Sequence, residues 1–269
     1  MQRFVDAHTH SEYSPDSTTS VEELLLKARE VNALGVVFTD HLDLDAPRTP
    51  GKFVFSIADQ QKMIEETVRR IFPNGECKAL RGIEIGLQPC SIEHSREFIA
   101  GCNFDQITAS VHFVDGEDPY YGNYYDGKDY LQAYGRVLEL IYQTAVEFKD
   151  FDVIGHFDYV ARYSHYQVRD LKYADFPDHL DMLLRYLARE GKALEINTKT
   201  YSLHTDHVQE LDRNILLRFK ELGGEFVTLG SDAHSAARLT DNFIKFAAVC
   251  ANCGFPKLTY FQNRKPVLY

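Results

Sequence analysis

No run of about 18 consecutive apolar residues occurs in the chain, so no helix long enough to span a bilayer is expected. The N-terminus lacks a basic segment followed by an apolar stretch, and a cytoplasmic protein is expected. Lys and Arg nowhere gather into a stripe, and 29 basic against 40 acidic residues give a formal net charge of −11. Binding a polynucleotide backbone needs such a stripe, so no nucleic-acid partner is expected. A small phosphorylated substrate, which needs only one or two cations, is not excluded. Cysteine is scarce too: five in 269 residues, an odd number that suits reduced thiols. Cys250-Ala251-Asn252-Cys253 is a CxxC, but Cys77, Cys90 and Cys102 supply no second pair for a zinc knuckle. Its spacing fits the last turn of a helix starting near residue 241, and a packing role is expected. Internal repeats and low-complexity segments are absent, and oligomeric state has no signature.

What is present is ordinary in bulk: 44% hydrophobic and 26% charged residues. One barrel-sized domain over 1–269 is the natural reading, two small domains the alternative. Short β-rich runs alternate with helical stretches, which predicts a parallel α/β sheet or barrel. Strands are expected over 3–6, 36–41, 78–84, 105–112, 151–156, 193–197 and 226–234. Ser20-Val21-Glu22-Glu23 reads as a capping box ahead of Leu24, Leu25, Ala28, Val31 and Leu34 at helical spacing, with Gly35 ending that helix. Further helices are expected over 58–71, from Ser91, over 129–149, 178–189 and 206–222, and from 241, followed by a short tail. Residues 42–57, 113–128 and 157–175 read as loops, and the Gly-, Asp- and Tyr-rich 113–128 is a candidate lid or rim.

The strand ends carry the chemistry. His8 and His10, His41, Glu84, His112, His156, Asn197, Asp232 and His234 all fall at the C-terminal ends of expected strands. In parallel barrels and doubly wound sheets, sites sit on that edge. Neutral imidazole is the commonest protein ligand for zinc, iron and manganese. A lone histidine more often hydrogen-bonds a carbonyl, but so many independent strand ends delivering ligand types to one edge argue for metal. His94, His165, His179, His204 and His207 fall in loops or helices, and most of them are expected to be ordinary residues. An ion of this kind takes four ligands or so, so the set suffices for two or three divalent ions, with Glu84 able to bridge a pair. Paired ions sharing a water are the usual machinery for in-line displacement at phosphorus.

His8-x-His10, Thr39-Asp40-His41, Gly82-Ile83-Glu84, Ser110-Val111-His112, Gly155-His156-x-Asp158 and Ser231-Asp232-Ala233-His234 resemble, in order, the motif set of the PHP (polymerase and histidinol phosphatase) family. Glu195-Ile196-Asn197-Thr198, the tail Asn263-Arg264-Lys265-Pro266 and the full length resemble its histidinol-phosphatase branch. The resemblance implies a distorted (β/α)7 barrel, a single domain, holding three metals (Zn, Fe or Mn). By motif, it implies a first ion on His8, His10, Glu84 and Asp232 and a second on Glu84, His112 and His156. A third would take His41, His234 and a loop residue, where some relatives use His and this chain offers Asp16. An Asp makes a harder site and favours iron or manganese there.

The implied reaction is hydrolysis of L-histidinol phosphate, a small phosphomonoester, in histidine biosynthesis. A hydroxide activated by the ions attacks phosphorus, and uncatalysed monoester hydrolysis is slow enough to need rate enhancements approaching ~10²¹. Arg162 and Lys199 are candidates to hold the phosphate, Arg by its bidentate fork. Tyr163, with Tyr120, Tyr121, Tyr124 and Tyr125, could wall the imidazole. Asp158 is a candidate to orient a ligand histidine. Asp232 and His234, if not committed to metal, are candidate acids for the leaving group. Two other readings stay open: a sister phosphoesterase acting on phosphotyrosyl protein or nucleotide, or a metal-binding protein without catalysis. The last predicts a degenerate ligand set, and here the set is complete.

Overall fold

The computed structural model describes residues 2–49, 51–167, 169–202 and 209–269. In chain order the strands are β1 (Val5–Thr9), β2 (Gly35–Phe38), β3 (His41–Leu42), β4 (Lys78–Gly86), β5 (Gln106–Ser110), β6 (Val153–Ile154), β7 (Ala193–Asn197), β8 (Val227–Gly230), β9 (Thr259–Gln262) and β10 (Lys265–Leu268). The helices are α1 (Val21–Glu30), α2 (Ile57–Ile71), α3 (Ile92–Ile99), α4 (Tyr130–Phe148), α5 (Tyr159–Arg162), α6 (Pro177–Arg189), α7 (Arg213–Glu221) and α8 (Phe243–Asn252). The first eight strands form one parallel sheet in the order β1-β2-β4-β5-β6-β7-β8, with β3 on β4. β2 and β3 share one position, because Phe38 pairs Arg81 and His41 pairs Glu84 with the same offset. Seven strand positions result. The sheet closes on itself at its C-terminal rim: Asp232 N–H donates to His8 O at 2.9 Å and His10 N–H to Ala233 O at 3.0 Å.

Every residue of β1, β2, β5, β7 and β8 is buried. That suits strands covered on both faces, outside by helices and inside by the barrel's own filling. Register sorts the inside by height. Val5, Ala7, Val37, Leu80 and Tyr260 pack together at the bottom, as do Val153, Ala193 and Phe261. One step further along the same strand faces come Gln106, Thr108, Glu195 and Thr228, and then the ionisable residues of the rim.

Several expectations need correction. α1 stops at Glu30, not Gly35, and Gly35 opens β2, where a Cβ would stand 3.1 Å from Lys78 Cβ. The strand ends were drawn too long: β8 stops at Gly230 and β6 has two residues. α7 begins only at Arg213, capped by Asp212, which accepts from Asn214 N–H at 3.0 Å; the expected start near Asp206 lies outside the described residues. The loop 157–175 contains α5. The expected tail is an antiparallel hairpin, β9–β10, that plugs the barrel bottom. Arg264 at its turn fastens it, with Nη2 2.9 Å from Asp150 and the backbone N–H on Asp105 O. Cys250 and Cys253 close α8 and are buried in packing, as the spacing suggested.

Ser20 caps α1 as expected, its Oγ accepting from Glu23 N–H at 3.1 Å while Glu23 Oε2 accepts from Ser20 N–H at 2.8 Å. Ser20→Ala is therefore expected to lower unfolding stability by about 1 kcal/mol in urea titration, without changing the cooperativity of the transition.

Candidate metal centre

β1 delivers His8 and His10 to the interior through an irregularity. Its register against β2 shifts between Asp6 and Thr9. Without that bulge the alternation that turns Val5 inward would turn the histidines out. Glu84 comes from β4 and His41 from the paired position on β3. His112 and His156 follow the ends of β5 and β6, and Asp232 and His234 follow β8. Asp232 sits at φ 50°, a left-handed conformation that Asp tolerates better than most residues.

Glu84 stands at the centre, with no exposed surface. Its Oε2 lies 3.3 Å from His8 Nε2, 3.5 Å from His10 Nε2 and 2.9 Å from His41 Nδ1. Its Oε1 lies 2.7 Å from His156 Nε2 and 3.3 Å from His112 Nε2, and accepts from Ser110 Oγ at 2.6 Å. The other spacings are 3.2 Å between the His8 and His10 Nε2 atoms, 3.4 Å between those of His112 and His156, and 3.4 Å from His10 Nε2 to Asp232 Oδ1. Donors around a tetrahedral ion with bonds of about 2.0–2.1 Å stand roughly 3.3–3.4 Å apart. Most of these contacts have that length, which is long for a hydrogen bond. Glu84 Oε2 and His41 Nδ1, though close, are not aligned to hydrogen-bond, and among the described residues neither has a hydrogen-bond partner. Buried polar atoms orphaned in this way are what a bound cation would satisfy. On the outer side, Asp16 Oδ2 lies 3.1 Å from His234 Nε2 and 3.5 Å from His41 Nε2. His10, His41 and His234 also form a compact group that fits an ion.

The charges at the centre are coupled: burial is outweighed at His8 by Glu195 and Glu84, at His112 by Asp43 and Glu84, and at His41 by Glu84 and Asp16, so these three rings favour the protonated form, the positive charge a bound cation would replace. Burial alone would raise Glu84, but His8, His112 and His41 hold it well below the usual carboxylate range. Burial, reinforced by His234 and His41, keeps the His10 imidazole neutral. Burial is likewise outweighed at Asp232, where Lys199 and Arg162 keep the carboxyl ionised.

A second layer of residues fixes which nitrogen faces inward. His8 Nδ1 donates to Glu195 Oε1 and His112 Nδ1 to Asp43 Oδ1, both at 2.7 Å. Ser14 Oγ donates to Asp40 Oδ1 at 2.8 Å, so it accepts from His10 Nδ1–H at 3.0 Å. In the neutral form of all three rings Nε2 is therefore the lone-pair nitrogen. The roles of Asp43, Ser14 and Glu195 went unread in the sequence. The available signal was spacing: Asp43 lies two residues after His41, and Glu195 two before Asn197. Glycine makes room for both. A Cβ on Gly86 would lie 1.8 Å from Asp43 Oδ1, and one on Gly230 would lie 2.2 Å from Glu195 Oε1 and 2.5 Å from His8 Cβ.

All the sequence-predicted ligands thus meet at one place, at the floor of a cavity of about 420 Å³. Arg162, from α5, reaches Asp232 Oδ2 at 2.9 Å and Asn197 Oδ1 and Thr200 Oγ1 at 3.0 Å. Lys199 Nζ is 3.2 Å from both Asp232 Oδ1 and His234 Nδ1. Tyr120, Tyr121, Tyr159 and Tyr163 line the walls. Tyr124 and Tyr125 do not: both are buried in the core, their hydroxyls on Ala133 O and Val160 O, because the two 3-10 turns at 119–125 fold back on α4 and α5. Asp158 orients no ligand histidine; its carboxylate accepts from Thr200 and Tyr201, which packs the Arg162 loop against β7. His94 is exposed on Asp45, and His165 and His179 pack on aromatic rings away from the centre. His204 and His207 lie outside the described residues.

Glu84→Ala removes the carboxylate shared by five imidazoles. The expected outcome is loss of at least one bound ion per chain by elemental analysis, with helical content retained in circular dichroism; full metal content would contradict its central placement.

Comparison with known proteins follows the same lines. The model of the PHP domain matches residues 6–199. A probable histidinol-phosphatase of Clostridium acetobutylicum is 30% identical over 259 residues, covering 96% of this chain and 97% of that protein. The histidinol-phosphatase of Lactococcus lactis is 29% identical over 262 residues, 97% and 95% of the two chains. The crystal structure of histidinol phosphate phosphatase from Lactococcus lactis, complexed with zinc, L-histidinol and phosphate, superposes with a TM-score of 0.87 at 30% identity over 98% of each chain. A putative histidinol phosphatase from Listeria monocytogenes, 19% identical with a TM-score of 0.73 over 90% of this chain and 99% of that one, shares the fold. With the family model spanning most of the barrel and its motif residues converging on one buried carboxylate, the chain belongs to the PHP domain family.

Proposed function

We propose that this protein, one PHP unit over residues 1–269, hydrolyses L-histidinol phosphate to L-histidinol and phosphate with the help of two or three divalent ions. The observation that carries the reading is the ring of imidazoles around Glu84 at the floor of a cavity that also holds Arg162 and Lys199. The Lactococcus lactis phosphatase, so similar along its whole length, holds zinc, histidinol and phosphate.

In this reading His8, His10, Glu84 and Asp232 would hold a first ion, Glu84, His112 and His156 a second, and Asp16, His41 and His234 a third. Zinc, iron or manganese suits these nitrogen and carboxylate ligands, the third position being the most anionic. Bound there, divalent ions supply the charge that makes water a nucleophile at neutral pH and that offsets charge on the phosphoryl oxygens.

The chain's own groups do the rest. Arg162 is held by Asn197 and Thr200 with its fork turned to Asp232, where phosphoryl oxygens would take over as acceptors. Lys199 adds a second cation on the same side. Asp232, kept ionised by both cations, serves as ligand and acceptor and not as the leaving-group acid. His234 is committed beside Asp16, so water from the open mouth protonates the departing alkoxide. Tyr163 packs against Tyr120 and Tyr159 as part of the wall for the organic group.

A small-molecule partner fits the cavity, and the acidic net charge disfavours nucleic acid. Among the described residues no helix is long and apolar enough to cross a membrane. Five unpaired cysteines support a reducing, cytoplasmic setting.

Phosphate release tests the reading directly. Histidinol phosphate is expected to give kcat/KM at least tenfold above a nucleoside monophosphate and a phosphotyrosyl peptide, and a chelator to abolish release; equal turnover of all three would refute the substrate assignment. Arg162→Ala is expected to lower kcat/KM roughly a hundredfold, the loss of two charge-assisted hydrogen bonds worth about 1.5 kcal/mol each.

A further inference from the structure

Asp158 is a buried acid that serves neither the helix it precedes nor the ligand histidines. It stands at the N-cap of α5, where an aspartate ordinarily accepts from the first free amides, yet its side chain makes no capping bond. Among the described residues it hydrogen-bonds no imidazole either. Its carboxylate turns across to the segment after β7, where Oδ1 accepts from Thr200 Oγ1 at 3.3 Å and Oδ2 accepts from the Tyr201 hydroxyl.

Thr200 turns this contact into a relay. A threonine hydroxyl has one hydrogen. Spent on Asp158, it leaves Oγ1 as an acceptor, and Arg162 Nη2 donates to it at 3.0 Å. Arg162 is the last residue of α5 and Asp158 immediately precedes its first. Both ends of the short helix are thus tied to one turn, through one carboxylate and one hydroxyl. That turn is the fixed side. Thr198 N–H donates to Gly230 O at 2.8 Å, Ser202 Oγ donates to Thr198 O at 2.9 Å, and the Tyr201 ring packs on Phe246 of α8 at 5.1 Å.

The guanidinium needs such a support. The Arg162 side chain is buried, with the rings of Tyr159 and Tyr163 at 5.4 and 5.9 Å. Its direct ion pair is with Asp232, which the proposed first ion would share. Its Nε has no partner among the described residues, so the fork is oriented by what its Nη groups meet. We propose that Asp158 is a positioning residue, which acts through Thr200 to hold the Arg162 fork where it meets the phosphoryl group. The proposal rests on the reading of Arg162 as a phosphate-binding group and adds what keeps that group in place. Charge alone predicts the reverse effect: Asp158 is an anion beside an anion site, and its removal by itself would tighten phosphate binding. Weaker binding on its removal therefore reports lost position.

A double-mutant cycle tests this, with inorganic phosphate as the probe and titration calorimetry of the metal-loaded enzyme as the readout. Asp158→Ala and Tyr201→Phe, the gentler variant, are each expected to raise the phosphate Kd at least fivefold with bound metal unchanged. In an Arg162→Ala background the same two changes are expected to move Kd less than twofold. Unchanged or tighter binding in Asp158→Ala overturns the proposal. So does an equal loss in both backgrounds, the mark of a general structural role, and so does an Arg162→Ala variant that binds phosphate as tightly as the wild type. If Asp158→Ala fails to fold, Tyr201→Phe decides by the same criteria. Because the probe is phosphate itself, the outcome does not depend on the organic group. If histidinol phosphate proves no better than the phosphotyrosyl peptide while the cycle behaves as expected, the substrate assignment falls and this proposal stands.

Discussion

A fully buried carboxylate facing five imidazoles is the constraint on which the rest of this molecule depends. Taking Glu84 out of water costs several kcal/mol unless opposite charge and hydrogen bonds offset it. Among the described residues only Ser110 supplies a hydrogen bond from a group that is not an imidazole. The histidines converge on it from β1, β3 and the ends of β5 and β6, and a parallel barrel is the architecture that brings so many strand ends to one point. The rim bonds between β1 and the segment after β8 close the ring and carry Asp232 to the same centre.

Around that centre the barrel interior is filled in layers with different jobs. Its bottom is apolar and sealed by the C-terminal hairpin. Its middle holds Glu195 and its top the inward-facing nitrogens, and Glu195 links the layers by accepting from both His8 Nδ1 and the His156 backbone N–H, each at 2.7 Å. Glycines at Gly86 and Gly230 let carboxylates approach where any side chain would collide. The fixed ring orientations that follow are a form of preorganisation: the imidazoles need not turn when a ligand arrives.

Above the metal centre the cavity wall comes largely from loops. Arg162 belongs to α5, inside the stretch after β6, and Asp118 to the turns after β5. Tyr159, which touches Asp118, His112 and His156, ties these loops to the metal centre.

The sequence by itself determined the alternation of strand and helix, the capping of α1 and the histidines and carboxylates at the strand ends. These features have local signatures: a period of two or 3.6, a Ser-x-x-Glu box, a histidine after an apolar run. The resemblance in six ordered motifs added the fold family and the expected partition into ion sites. Tertiary structure alone decided what depends on contacts between distant residues. Tyr120 and Tyr125 look alike in sequence, yet one lines the cavity and the other is core, because the backbone turns between them. Asp43 and Asp158 both follow a histidine by two residues; only Asp43 hydrogen-bonds a ligand-type ring, that of His112, across the end of β4, where Gly86 leaves room for its carboxylate. The bulge in β1 that turns His8 and His10 inward is a mismatch between two strands, and a mismatch exists only once both are paired.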